Sequence, residues 1–470
     1  MSPSRRKRTL LITGIFRVLD GSDGYDRAMN DDTNAGRELL VRIASDLGLD
    51  REIARTVPDP VHPVPLPSRL AVGALAWASV TAASLASGRE DSHLHSPDPD
   101  RIAMAYRSDR ILLVDGRAPT VWSPYSGFWA ASDGWVRTHG NYPHHARAFR
   151  SALEVSAKAD PDEIRALFAG STVHTCVERI TRAGGLAVAV KAEDRARDAA
   201  LRDQPLVDVR RIDEAAPRTR EVRPNVTTPL DGIRVLDLTR VIAGPVCTRT
   251  LALLGADVLR IDPPHLPEID WQHLDTGHGK RSALLDATST QMTDLLEAAD
   301  VIVLGYRPAA LARLGLSPAH LARRHPGLVI AQLSAWGVDQ PDRAGFDSLV
   351  QAESGIALIE SPDGGRPGAL PAQALDHSAG YLLAASVCRA ITRQAQEGGT
   401  WHVSTSLRRI AAELLGMPRL QDPEPEREVD VADHSQQFDV SGQAVTTARA
   451  ALPGFTFAPP RTWAGDAPSW

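Results

Sequence analysis

The chain has 470 residues, 43% hydrophobic and 23% charged, with a formal net charge of -6. That is the balance of a soluble globular protein too long for one ordinary core, so two domains are expected. The negative balance argues against a general nucleic-acid binder or a binder of anionic membranes, and neither is expected as a partner.

The basic start MSPSRRKRTLLITGIF is followed by the polar, Asp- and Gly-rich stretch 20–34, which reads as a leader, either poorly ordered or helical, up to residue 57 and not as a signal peptide. Residues 58–67 are proline-rich, and Ser68 to Ser87 reads as a helix capped by Ser68 and closed by Gly88. Its serines and threonines favour a packing helix over a membrane span. Ile111 to Val114 and Trp135 to Arg137 read as strands, with turns at Asp115-Gly116 and Asp133-Gly134. Helices are expected at 143–153, 161–168 and 175–183, followed by a strand from Leu186 to Val190. Residues 58–217 thus form a small α+β domain, 218–228 a polar linker, 229–420 a second domain and 421–470 a C-terminal extension.

The second domain opens with PLDGIRVLDLTRVIAGPVCTRTLALLGADVLRID, residues 229–262, which reads as strand, turn, helix, strand. Further strands are expected at 299–304 and 328–333, after helices at 290–298 and 317–324. Strands spaced by helices build an α/β domain with a doubly wound, Rossmann-like parallel sheet, whose ligand lies at the strands' carboxyl ends. No G-x-G-x-x-G follows the first strand and no P-loop motif occurs, so a dinucleotide or P-loop nucleotide is not expected. Cys176, Cys247 and Cys388 have no paired spacing. They predict neither disulfides nor zinc and fit a reducing cytoplasm, and Cys247 and Cys388 read as buried small hydrophobes. His139, His144 and His145 lack metal-ligand spacing and read as surface or packing residues, so no metal is expected.

The opening stretch, Gly279-Lys280-Arg281-Ser282, Gly305-Tyr306-Arg307-Pro308, Leu311 to Leu316, Gly345 to Gly355 and Leu375 to Gly380 follow one another in an order that resembles the family III CoA-transferases, the formyl-CoA and carnitine-CoA transferase family. Asp133 to Val136 and Ala183 to Leu186 resemble the smaller domain of the same family, here placed ahead of the sheet domain. The glycine-rich loop of the formyl-CoA enzymes has no visible counterpart, Pro263 stands where a basic residue is common, and Ile242 where a CoA-contacting glutamine is.

The resemblance implies that Asp376 is the acyl-accepting aspartate. Independently of it, Asp376 stands at the start of a long apolar helix, where the dipole favours a carboxylate and where a plain N-cap is the alternative. A carboxylate there can attack a thioester to give a mixed anhydride and then an aspartyl-CoA thioester. The same resemblance assigns Val241, Ala243, Lys280, Arg281, Tyr306, Arg307, Arg313, Phe346 and Asp347 to CoA binding, the four cations being suited to its phosphates. CoA and acyl-CoA are then substrates, with no permanently bound cofactor, and a carboxylic acid is the second partner. Two other readings stand beside this one: an α-methylacyl-CoA racemase-like isomerase, for which Phe346 replaces a catalytic histidine, and a CoA-binding scaffold. The resemblance and the apolar helix 68–87 together predict a homodimer.

Overall fold

A computed structural model of the chain describes residues 22–89, 91–218 and 228–470. The basic start and nearly all of the expected linker, 219–227, lie outside the described residues. In chain order the strands are β1 (Leu113–Val114), β2 (Gly127–Ala131), β3 (Gly134–Thr138), β4 (Ala187–Ala189), β5 (Asp208–Asp213), β6 (Arg234–Leu238), β7 (Asp257–Asp262), β8 (Lys280–Leu284), β9 (Val301–Leu304), β10 (Val329–Ser334), β11 (Thr400–Ser406), β12 (Ser435–Val440) and β13 (Gln443–Ala448).

Seven of them form one sheet in the order β5-β11-β10-β9-β6-β7-β8, parallel throughout except for β5, which pairs antiparallel with β11 at the edge. The near-continuous apolar runs of β6, β9 and β10 follow from burial on both faces. Side chains alternate between two cores as a period of two requires. Val301 and Val303 of β9 face one core with Val235, Val329 and Ala331, while Ile302 and Leu304 face the other with Leu236 and Ile330. Helices Thr290–Ala298 and Pro318–Arg324 cover the second face with Leu295, Leu296 and Leu321.

The first face carries four stacked helices. Ala374–Glu397 packs on both Ala243–Leu253 and Val72–Ala86, and Ser22–Leu47 packs on the far side of Val72–Ala86. Gly380 allows the first crossing: a Cβ there would lie 2.6 Å from Ala243 O and 2.7 Å from Val246 Cβ. Val72–Ala86 is apolar all round because its own chain encloses it. It begins at Val72, four residues after the expected cap, because the Ser68 hydroxyl donates to buried Glu360 Oε1 at 2.7 Å. No helix of the described residues is long and apolar enough to cross a membrane.

A smaller antiparallel sheet, β2-β3-β4, closes its own core with helices Pro143–Leu153, Pro161–Ala169 and Val173–Arg182 around Trp129, Val136, Phe149 and Phe168. A third sheet joins β1 to the hairpin β12–β13. The contacts thus group the chain in their own way: Leu39 to Val57 and Val64 to Tyr106 share the core of the large sheet, and β5 completes that sheet from the stretch before the linker. The strand expected from Ile111 to Val114 is shortened: Ile111 ends the helical turn Ser108–Ile111, which Ser108 Oγ ties to Asp275 Oδ2 at 2.7 Å, and only Leu113–Val114 is extended. All three cysteines are free and buried.

Candidate active site

In the large sheet β6, β7 and β8 run outward one way while β9, next in sequence, lies on the other side of β6. That reversal opens a crevice beyond the carboxyl ends of β6 and β9, the usual ligand position in such a sheet. A cavity of about 680 Å³ occupies it. Leu238, Arg240 and Val241 at and after the end of β6, Gly305, Tyr306 and Arg307 after β9, and Ser334 and Ala335 at and after the end of β10 form one part of its lining. Tyr142, His144, His145 and Leu186 of the smaller domain, with Phe346 and Asp376, complete the lining.

The turn after β6 is held under strain. Val241 has φ 74°, rare for a β-branched residue, and its N–H donates to Glu268 Oε2 at 3.4 Å. Glu268 is fully enclosed: it accepts from Tyr142 Oη at 2.6 Å and Arg260 Nη2 at 2.7 Å, with Arg240 3.6 Å away. Burial raises its carboxyl, but Arg260 and Arg240 prevail and hold it below the usual range. Arg260 also binds Asp262 at 2.7 Å.

Asp376 sits in the first turn of Ala374–Glu397, 6% exposed, with its carboxyl in the cavity wall. Behind it, Asp347 opens helix Asp347–Ser354 and accepts the Asp376 N–H on Oδ2 at 3.0 Å. Burial, then the charge of Asp347, raises Asp376 well above the ordinary carboxylate range. Burial also pushes Asp347 up to about 6, against hydrogen bonds from Gln351 and the helix-start amides. The helix start was expected to favour the ionised form. Its contribution, about 0.3–1 kcal/mol when exposed, is outweighed here by desolvation and a like charge.

Of the residues assigned from the sequence, Val241, Ala243, Tyr306, Arg307, Phe346 and Asp376 meet at the cavity, and Lys280, Arg281, Arg313 and Asp347 do not line it. Lys280 is 0% exposed and donates to Asp237 Oδ2 at 3.2 Å, Pro245 O at 2.9 Å and Thr248 Oγ1 at 2.6 Å, so its ammonium is committed to the core under the helix Ala243–Leu253. Arg281 is paired with Asp257 and lies against Trp470, and Arg313 reaches Asp342 at the surface. Asp347 lies directly behind the nucleophile candidate.

Arg240, Tyr142, His144 and His145 were not expected at the site. Arg240 follows a strand at the switch point, a signal the sequence does contain. The histidines come from the helix Pro143–Leu153 beside the smaller sheet, and no local pattern announces that they reach the cavity. Burial, with His144 and Arg240 nearby, pushes His145 down to about 3. His139 is a packing residue, stacked on Phe346 with ring centres 3.9 Å apart.

Residues 230–448 match the family model described as CoA-transferase family III. The chain is 32% identical to a probable fatty acyl-CoA transferase of Mycobacterium tuberculosis over 209 residues, 40% of this chain and 53% of that protein. It is 28% identical to a succinate–glutarate CoA-transferase of Agrobacterium fabrum, over 41% of this chain and 54% of that protein. A formyl-CoA:oxalate CoA-transferase of Rhodopseudomonas palustris matches at 28%, over 39% and 47%. A crystal structure from M. tuberculosis aligns at 34% identity with a TM-score of 0.38, covering 40% of this chain and 56% of that one. The chain thus spans about half the length of the curated relatives it matches, and the likeness to family III lies in its sheet domain.

Proposed function

We propose that this chain, a relative of the family III CoA-transferases through residues 230–448, moves CoA between an acyl-CoA and a carboxylic acid with Asp376 as the acyl acceptor. The observation that carries the reading is the buried Asp376 carboxyl in the wall of the switch-point cavity, set on a helix start and backed by Asp347.

The Asp376 carboxylate attacks the thioester carbonyl, the C–S bond breaks, and CoA leaves as the thiolate, giving a mixed anhydride. The thiolate then attacks the aspartyl carbonyl carbon and releases the first acid as its carboxylate, leaving an aspartyl-CoA thioester. The second acid repeats the two steps in reverse order, so no water is consumed and both carboxylates balance. Asp347 raises the basicity of Asp376 when both ionise and fixes its backbone. The mostly apolar cavity limits hydrolysis of the anhydride. Val241, Ala243, the ring of Tyr306 and Arg307 contact CoA in this reading, Arg307 meeting its phosphates.

The isomerase reading keeps one observation: an imidazole, His145, lines the same cavity, although burial pushes it down to about 3 and so makes it a weak base. Exchange of the α-hydrogen of a branched acyl-CoA in deuterated water, without acyl transfer, favours it.

The transferase reading is tested by Asp376→Ala, which should abolish exchange of labelled acid into acyl-CoA while leaving the unfolding midpoint within a small shift. Turnover at the wild-type rate in the variant sinks the assignment. The reading includes cytoplasmic action and a homodimer. The dimer rests on the family resemblance alone, since Val72–Ala86 is covered within its own chain. A compact monomer of 50.6 kDa in sedimentation at low micromolar concentration refutes it.

A further inference from the structure

Among the described residues, three buried polar atoms without a hydrogen-bond partner belong to side chains lining this one cavity: Arg240 Nε, Tyr306 Oη and His145 Nδ1. Buried donors and acceptors are nearly always satisfied, so three bare ones on side chains that line one cavity call for a ligand group. Arg240 joins them. Its side chain is 10% exposed, its Nη2 donates to Pro267 O at 2.7 Å, and its guanidinium lies over the Tyr142 ring at 4.3 Å. That leaves Nε uncommitted. Tyr306 and His145 both lie close enough to feel the Arg240 charge, and His145 also feels Arg307.

The charge of this corner decides what fits. Arg240 and Arg260 are matched by Asp262 and Glu268 in one connected network, two cations against two carboxylates. A locally neutral pocket with a few donors suits a monoanion better than a dianionic phosphate, which favours unmatched cations. Exposed Arg307, near the open side, is left for phosphate. His145, being neutral, donates from Nδ1 in the tautomer that carries its proton there.

We propose that Arg240 Nε, Tyr306 Oη and His145 Nδ1 form a subsite for the carboxylate of the free acid substrate. The proposal deepens the transferase reading and rests on it, and it gives the Tyr306 hydroxyl to the acid and not to CoA.

Direct titration calorimetry without turnover tests it, with acetate, succinate and octanoate as probes, CoA as the control ligand and inorganic phosphate as competitor. At least one acid binds the wild-type protein, and Tyr306→Phe, which removes one O–H and keeps the ring, weakens it about tenfold. His145→Ala moves the acid Kd in the same direction, CoA affinity changes less than twofold in both, and phosphate does not displace the acid. Failure of every acid to bind, an unchanged acid Kd in both variants, an equal loss for CoA, or displacement by phosphate overturns the subsite. Labelling of Asp376 by acyl-CoA in the wild-type protein is read separately. Its absence contradicts the transferase reading, while its presence with unchanged acid binding contradicts the subsite alone.

Discussion

Lys280→Met separates a buried structural lysine from a phosphate ligand. Lys280 Nζ makes three contacts, to Asp237, Thr248 and Pro245, at 2.6 to 3.2 Å, and both charged partners are 0% exposed. Methionine fills the volume but strands the Asp237 carboxylate, and removing one partner of a buried pair costs about 3–5 kcal/mol. The hydroxyls of Thr239 and Thr248 still donate to Asp237, which puts the expectation at the low end, about 3 kcal/mol. A second readout comes from titration. Burial, opposed by Asp237, pushes Lys280 from 10.5 down to about 8. Between those values the unfolded chain binds the proton more tightly than the folded one, so wild-type stability should rise with pH from about 8 to 10.5, and Lys280→Met should lack that rise. Urea midpoints at pH 7 and across this window measure both, with the KM for acyl-CoA taken on the folded variant. Undiminished stability with a tenfold higher KM would refute the reasoning and return Lys280 to the phosphates.

Asp347→Asn removes the like charge behind Asp376, so the acidic limb of the pH profile of kcat/KM should move to lower pH; an unmoved limb shows that Asp347 does not set it. Because both carboxyls are raised in the folded protein, their contribution to stability is full below about pH 4 and is lost as pH rises through about 6 and beyond. Asp347→Asn should flatten that fall, read from unfolding midpoints between pH 4 and 8. Gly380→Ala forces a methyl against Ala243 O and Val246, and should cost about 1–3 kcal/mol despite alanine's better helix propensity; a neutral or stabilising result contradicts the close crossing. Glu268→Ala leaves Arg240 without its carboxylate and Arg260 with Asp262 alone, and should cost about 3 kcal/mol and loosen the Val241 turn, raising the KM for acyl-CoA as well.

The parallel sheet was legible because its strands are buried on both faces and its helices are spaced between them. Arg234–Leu238, Val301–Leu304 and Val329–Ser334 all fall where apolar runs predict strands. Strands β5 and β11 escaped notice because DVRRID and TWHVSTS carry charges and hydroxyls, and their pairing joins residues nearly two hundred positions apart. Asp376 was legible from its helix start and motif, and it does reach the cavity. The cations were legible only as charges. Whether a lysine meets a phosphate or a buried aspartate depends on which side of β8 it faces, and Lys280 faces inward to Asp237. Arg240 and His145 became visible only once the loops of the large sheet and the helices of the smaller one were set around one cavity.

The central claim is that Asp376 itself carries the acyl group and then CoA. Wild-type protein incubated with an acyl-CoA, quenched with borohydride or hydroxylamine, and mapped by peptide mass spectrometry tests this most directly. The account predicts a modification confined to the peptide bearing Asp376, at the aspartate side chain and dependent on acyl-CoA. An unmodified Asp376 in protein that still exchanges labelled acid into acyl-CoA, or a modification at another residue, would contradict it.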